Sequence, residues 1–454
     1  MAVFSYGSRA SLLATRIVAV AFALTLTLAG QGAAETYTLE QCLKLAKESR
    51  ASIARARGDQ RNAAASVKRQ FSIFLPNLSA TYRNSESTVR NQEQTQPLPG
   101  GGDTTITFQD QDRGSSRFDI TGSITLFNGL SNIHDYLGVK KSNQSAKLDL
   151  VRAEQNLDLE VKTRYFAYLA NVRNLVVQEE AVKRSQEQLN LVQSRYDVGS
   201  ASLSDVLKQK VQFGNDNLTL LGAENGVATS KADLAFAVGF DPNDDDDFDT
   251  TYVEEQYAGT MVNAISIGLK NHPGLRARTL DVDVSRHFVR SAYGEYLPRV
   301  SAFVSQDWSD GSRSDNIVSD VDFSSNSTTA GLTVSWNIFD RYLREQNVIR
   351  NRVALNNARA EEWEARNAVS RDVRTAFLDA QKAKRQVEVS TETVASARED
   401  MNLAQEKYNL GSASILDLLD AQVSLTDAQV SLIRSKLDLN LAVAKLENAM
   451  GASK

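Results

Sequence analysis

The sequence predicts an α+β protein built twice over, in which a few alternating strands feed very long helices. Three observations carry this: an internal duplication, two helix-forming stretches of more than a hundred residues, and period-two strands with one apolar and one hydroxyl-rich face. The duplication is ungapped from Tyr196 to Gly239 against Tyr408 to Gly451, an offset of 212 residues. Tyr196-Asp197-Val198-Gly199-Ser200-Ala201-Ser202 stands against Tyr408-Asn409-Leu410-Gly411-Ser412-Ala413-Ser414, and Asp205 against Asp417. Further back, Leu75-Pro76 meets Leu297-Pro298 at an offset of 222, so the first copy carries ten extra residues between this proline and the next strand. A repeat of this kind governs every local assignment.

In chain order, Met1 to Ala34 holds Arg9 and Arg16, no acidic residue, an apolar run from Ile17 to Ala29 and a small-residue end. It reads as a secretory signal peptide, its core too short for a membrane span. Without it the formal charge moves from −5 to −7, which offers nucleic acid no electrostatic attraction. Residues 35–239 form the first repeat, 240–258 an acidic connection, 259–451 the second repeat and 452–454 a short tail. The single cysteine, Cys42, cannot form an intrachain disulfide and is expected in a helix core, like its counterpart Ala264.

Tyr37 to Ser72 has good helix propensity and is paralleled by Gly259 to Tyr293; each is read as one helix. Both run into an aromatic-Leu-Pro, Phe74-Leu75-Pro76 and Tyr296-Leu297-Pro298, where the residue before proline is pushed out of the α region. Strands follow. Leu78, Ala80 and Tyr82; Phe118, Ile120, Ile124 and Leu126; Val300, Ala302, Val304 and Trp308; and Leu332, Val334, Trp336 and Ile338 alternate with Ser, Thr, Asn and Asp. That pattern suits a strand between lipid and a wet lumen, but one face of a soluble sandwich looks the same, and the strands alone favour the sandwich. Asn91 to Ser115 and Ser309 to Ser327 are rich in breakers and read as mobile, solvent-facing loops.

After Phe127 and Phe339 the chain reads as two helices per repeat joined at Tyr-x-x-Gly, the first of roughly 65 residues and so about 100 Å long. In the last helix Leu418, Leu425, Leu432, Leu439 and Leu446 recur every seven residues, and so do Val423, Val430, Leu437 and Ala444. These two seams lie about 140° apart, so the helix has an apolar neighbour on each side, as in a closed ring. The first copy repeats one seam with Val206, Phe213, Leu220, Val227 and Leu234, and the other less fully with Val211, Leu218, Asn225 and Ala232.

Asp244 to Asp247 lack the glycine and distal glutamate of a calcium loop and read as a solvated acidic turn. His134, His272 and His287 form no His-Glu-x-x-His pattern, and no Gly-x-Ser-x-Gly elbow occurs, so no catalytic, cofactor-binding or metal-ligating residues are expected. Four strands cannot close a lipid-facing barrel alone, because open edges in lipid leave backbone groups unpaired. If they face lipid, further chains must supply strands and the helices must form a ring with them. A soluble periplasmic coiled-coil adaptor or scaffold explains the helices but not the strands.

The signal peptide, the doubled order of helix, Leu-Pro, strand, loop, strand, long helix, Tyr-x-x-Gly and helix, and the Phe-Asn or Phe-Asp at each strand-to-helix junction resemble the TolC family of outer-membrane efflux and type I secretion proteins. The resemblance spans the mature chain. It implies a homotrimer in which four strands per chain form a twelve-stranded barrel in the cell outer membrane, continuous with a periplasmic α-helical tunnel. It implies an exit duct for small molecules or polypeptides, working with a periplasmic adaptor (membrane fusion) protein and an inner-membrane RND or ABC transporter, with no cofactor and no nucleic acid. By that likeness Tyr408, Asp417 and Asp420 belong to the periplasmic constriction, and Val198, Gly199, Ser200, Leu410, Gly411 and Ser412 to the adaptor-docking hairpin tips. Phe127, Phe339, Trp336 and Trp308 are expected at the membrane interface. Where the best-known member has a bracing arginine and its acidic partner, this chain has Ala413 and Asn190, so the closing lock differs.

Overall fold

The computed structural model describes residues 36–89, 92–97, 99–108, 111–241, 247–251, 257–315 and 321–452. The expected signal peptide lies outside them, as do Asp244, Asp245 and Asp246 of the acidic connection and the last two residues of the tail. The order is β1 (Thr36–Tyr37), α1 (Leu39–Ser49), α2 (Ala51–Phe71), β2 (Asn77–Val89), β3 (Gln92–Pro97), β4 (Asp103–Phe108), β5 (Gln111–Asn128), α3 (Ser131–Asp197) and α4 (Leu203–Val238). Then follow β6 (Asp247–Phe248), α5 (Met261–Asn271), α6 (Pro273–Gly294), β7 (Arg299–Asp315), β8 (Val321–Ser335), α7 (Leu343–Asn409) and α8 (Ile415–Met450). Helices α3 and α7 each have 67 residues, and α4 and α8 each have 36.

The chain folds as two compact units, and each draws on both halves of the sequence. One takes the described parts of Met1–Arg50, Glu160–Glu255 and Lys384–Leu441; the other takes Ala51–Leu159, Gln256–Ala383 and the described part of Ala442–Lys454.

In the first unit β1 and β6 pair in parallel, and Tyr37 packs on Phe240 and Phe248. Tyr168 meets Phe248 edge-on, Tyr165 donates its hydroxyl to the Asp249 carbonyl at 2.5 Å, and Arg173 donates to the Thr250 carbonyl. The connection between the repeats is therefore tied to α3 by one face of aromatic side chains. Cys42 is fully buried in α1, as is Ala264 in α5, and burial pushes the thiol up to about 11; packing is its role here.

The second unit carries an antiparallel sheet in the order β2-β5-β7-β8, with β3 and β4 as a separate hairpin. Leu78, Ala80 and Tyr82 stand opposite Gly122, Ile120 and Phe118, and Gly122 and Phe118 opposite Val304 and Trp308. Ala302 and Val300 in turn face Leu332 and Val334. The alternation read from the sequence thus assembles into one apolar face, while Asp119, Thr121, Ser123, Ser301, Ser305 and Thr333 fall on the other, where Arg117 pairs with Asp307 at 3.4 Å. The strands run to 13, 18, 17 and 15 residues. The segments expected as loops are in large part strand: β3, β4 and the first residues of β5 lie within Asn91 to Ser115, and the ends of β7 and β8 within Ser309 to Ser327. Ladder hydrogen bonds come from the backbone, so Ser, Gly and Asp extend a strand whose neighbour already fixes its register.

Each helix expected before the Leu-Pro is broken once. Arg50 and His272, equivalent at the offset of 222, both leave the α region, at ψ 127° and 116°. His272 precedes Pro273, which accounts for its break; its Nδ1 then accepts from the Leu275 amide at 3.2 Å and caps α6. Arg50 has no proline after it. Its guanidinium donates to the Phe236 carbonyl and to Glu160 and lies 5.0 Å over the Phe236 ring, while Ser49 donates to the Val238 carbonyl.

The Phe-Asn and Phe-Asp junctions have a local cause. Asn128 Oδ1 accepts from the Asn132 amide, and Asp340 Oδ2 from the Arg344 amide, so each side chain satisfies a free N–H at a helix start. Two left-handed residues make each corner, Gly129-Leu130 at φ +67° and +66° and Arg341-Tyr342 at +58° and +65°. Glycine is required at the first of these: a Cβ on Gly129 would sit 2.0 Å from the Gly294 carbonyl oxygen.

Candidate functional site

Within the first unit the ends of α3 and α7 and the starts of α4 and α8 come together. Helix α3 ends in a Schellman motif: Ser200 N–H donates to the Arg195 carbonyl and Gly199 N–H to that of Tyr196, with Gly199 at φ +76°. Helix α7 ends identically, through Ser412 to Lys407 and Gly411 to Tyr408, with Gly411 at φ +70°. Val198 and Leu410, beside these glycines, are the most solvent-exposed large apolar side chains of the two turns. Ser200 and Ser412 each also donate a side-chain hydrogen bond back to the helix they follow. The six tip residues are thus two copies of one exposed turn.

Below the tips, Val192 and Val206 from the first hairpin pack with Ala404, Ile415, Leu418, Leu419 and Ala421 from the second, and Tyr408 covers this cluster. Arg195 crosses between the hairpins: its guanidinium lies 5.3 Å over the Tyr408 ring and donates to Asn409 Oδ1 at 3.0 Å. Burial, then the negative charge of Asp205, raises the Tyr408 hydroxyl above its ordinary value. Asn190 accepts from Gln186 on its own helix, and Ala413 has no polar side chain. The polar contact between the hairpins at this level is thus made by Arg195. Its sequence equivalent is Lys407, so only a basic residue before each tyrosine hinted at it.

Asp417 and Asp420 sit differently although they share a helix face. Asp417 Oδ2 accepts from the Ser414 amide and hydroxyl, each at 2.9 Å, and the Asp417 amide donates to Ser414 Oγ, a reciprocal cap. The hydrogen bonds from Ser414 hold its carboxyl below the usual carboxylate range, with a smaller contribution from Lys407. Ser202 and Asp205 form the same box in the first repeat. Asp420 is exposed, and among the described residues its carboxylate has no hydrogen-bonding or ion-pair partner. Its counterpart is Lys208.

The four aromatics fall at two levels of the second unit. Phe127 closes β5, and Trp336 and Phe339 follow β8; Trp336 Nε1 donates to the Tyr296 carbonyl, and Phe339 meets Tyr342 edge-on at 5.7 Å. Trp308 lies eight residues along β7 from Val300, roughly 26 Å at about 3.3 Å per residue. There it is in register with Phe118, which is in register with Tyr82, and it stacks on Phe118 at 5.5 Å. Tyr82 and Phe118 complete a row that the sequence showed only as separate strand residues. At the tilt of barrel strands, about 35–45°, that separation along β7 is roughly 20 Å in height, and two aromatic levels bounding an apolar face match the aromatic girdles of an outer-membrane barrel. Among the described residues no helix is long and apolar enough to cross a membrane.

Comparison with known proteins bears on both parts of the molecule. The family model for outer membrane efflux proteins matches residues 42–240 and 264–452. The chain is 22% identical over 326 residues to the outer membrane efflux protein BepC of Brucella suis, covering 72% of this chain and 70% of that one. It is 23% identical over 365 residues to the pyoverdine export outer membrane protein OpmQ of Pseudomonas putida, covering 78% and 74%. Its fold resembles that of the Campylobacter jejuni CmeC outer membrane channel, with a TM-score of 0.74 at 15% identity, over 91% of this chain and 85% of that one.

Proposed function

Because the chain belongs to the outer membrane efflux protein family, we propose that it is the outer-membrane exit duct of a tripartite efflux pump or type I secretion system, working as a homotrimer. The observation that carries this is incompleteness. Strands β2 and β8 are open edges of 13 and 15 residues, and unpaired backbone groups in lipid cost several kcal/mol each. Three chains contribute twelve strands and close a barrel whose lipid side is the apolar face carrying Leu78, Val304 and Leu332. A soluble scaffold gives no reason for that face or for its two aromatic levels.

In this reading the hairpin tips at Val198 to Ser200 and Leu410 to Ser412 meet a periplasmic adaptor, which links the duct to an inner-membrane RND or ABC transporter. Tyr408, Asp417 and Asp420 line the periplasmic constriction. The carboxylate of Asp417 is committed to Ser414, so the free charge at the opening comes mainly from Asp420. Threefold symmetry makes that a ring of three carboxylates, which favours cations and binds multivalent ones.

Single-channel recording in planar bilayers tests this reading. Wild type is expected to be cation-selective and blocked by multivalent cations, Asp420→Ala to lose most of both properties, and Asp417→Ala to lose less. Equal selectivity in wild type and Asp420→Ala removes Asp420 from the pore, and no conductance at all contradicts the duct.

A further inference from the structure

The chain has three histidines, and two of them, 153 residues apart in sequence, meet in the second unit. His134 lies in the first turn of α3 and His287 in the second half of α6, two turns before its end. Their Nδ1 atoms are 3.4 Å apart and their ring centroids 5.6 Å apart, with 35° between the planes. Both rings are half-buried. Among the described residues neither imidazole has a side-chain or backbone hydrogen-bond partner except the other.

We propose that His134 and His287 are the two protein ligands of a divalent transition-metal site, for Zn2+ or a similar imidazole-preferring ion, that joins α3 to α6 beside the strand-to-helix corner. A zinc ion about 2.0–2.1 Å from each of two nitrogens 3.4 Å apart subtends roughly 110°, the tetrahedral angle. Imidazole nitrogen suits zinc, copper and nickel. Among the described residues no third histidine, cysteine, aspartate or glutamate converges on the pair, so water completes the shell and the site is open.

The helices hold the two rings in place. Gly138, one turn after His134, packs so closely that a Cβ there would lie 3.2 Å from the Phe288 ring and 3.5 Å from His287 Cβ. The same turn of α6 is fixed by Asp283, which pairs with Lys141 at 3.4 Å and Arg286 at 2.7 Å. Those cations leave Asp283 no free charge to offer the metal, and with Arg290 nearby they make the surroundings less than ideal for a dication. Affinity must therefore come from the two preset nitrogens. The Gly129-Leu130 corner immediately precedes this point, so an ion here fixes the angle at which α3 leaves the sheet. Neither histidine belongs to a local motif, so the pair is visible only in the fold.

The test uses the full-length, untagged protein in detergent, stripped with EDTA and titrated with Zn2+ by calorimetry. One Zn2+ per chain is expected, with affinity about tenfold or more weaker in His134→Gln and in His287→Gln. Each variant is first compared with wild type for heat-modifiable migration and for melting in EDTA. A second reading needs no substitution: Zn2+ should protect His134 and His287 of wild type from diethyl pyrocarbonate, followed by mass spectrometry, and leave His272 unchanged. Absence of saturable binding, equal affinity in wild type and both variants, or equal modification of all three histidines with and without Zn2+ overturns the proposal and leaves a simple hydrogen bond between neutral imidazoles.

Discussion

Helices α4 and α8 hold the same place in the two repeats, have the same length and carry the same pair of seven-residue seams, yet the chain covers them unequally. In α8 the first seam is sheltered, with Leu418, Leu425, Leu439 and Leu446 buried, and the second is covered along its later half, where Leu437 and Ala444 are only 6% and 3% exposed, while Val423 near its start is 41% exposed. In α4 the first seam is sheltered at Val206 and Leu234, but Val211 and Leu218 of the second are 63% and 69% exposed. Leu207 is 53% exposed where its equivalent Leu419 is 8%. Position for position, the second seam is better covered in α8 than in α4. The sheet repeats the lesson, with β5 and β7 paired on both sides and β2 and β8 on one. In the proposed homotrimer, further copies of the chain would cover both open sides.

The sharpest way to break this comparison is to truncate matched seams. Leu437→Ala is expected to cost about 2–5 kcal/mol of folding stability, because it opens a cavity in a covered seam. Leu218→Ala should change the stability of the dissociated chain by less than about 0.5 kcal/mol, as an exposed position does, while weakening association. Denaturant melts of dissociated chains, together with native-gel mobility of assembled ones, separate the two. Equal loss of chain stability in both variants contradicts the account.

A smaller effect separates the two helix breaks. Burial, aided by the charge of Arg152, lowers His272 from 6.5 to about 4, so the folded state resists a proton that the unfolded chain accepts. Stability should be constant above about pH 6.5, fall by an amount on the order of 2–3 kcal/mol as pH drops toward 4, and level off below that. His272→Asn keeps a good N-cap and should flatten this decline, as read by melting temperature against pH. An unchanged profile in His272→Asn assigns the decline elsewhere.

The smallest contrast concerns the turns, where the repeats should behave alike. A Cβ at Gly199 or at Gly411 meets nothing within 4 Å, and both have positive φ, so each glycine-to-alanine change should cost roughly 1–2 kcal/mol from backbone strain alone. Bulkier residues at both sites should reduce export by spoiling adaptor docking while the oligomer survives in the outer membrane. Loss of the oligomer in the double variant makes these glycines folding residues instead.

Sequence spacing carried the seams, the turns and the two 67-residue helices because each is set by neighbours three to seven residues away. How far each helix is covered was not legible: Leu207 and Leu419 hold equivalent positions, yet one is 53% exposed and the other 8%, through segments distant in sequence. Pro273 marked the break at His272, but the break at Arg50 depends on Ser49 and Arg50 reaching Val238 and Phe236 nearly two hundred residues away. The Ser- and Gly-rich ends of the strands read as loops because their partners supply the order. Arg195 was missed because its contact with Tyr408 crosses between hairpins, and no local motif places a guanidinium on a ring.

The claim that the open seam of α4 and the open edges of the sheet are closed by further copies is tested most directly by the mass of the mature protein in detergent. Native mass spectrometry should give three chains per particle for the wild type, and single chains that retain their helical circular-dichroism spectrum for Val211→Asp/Leu218→Asp. A wild type that remains one or two chains, before and after chemical cross-linking, contradicts the account.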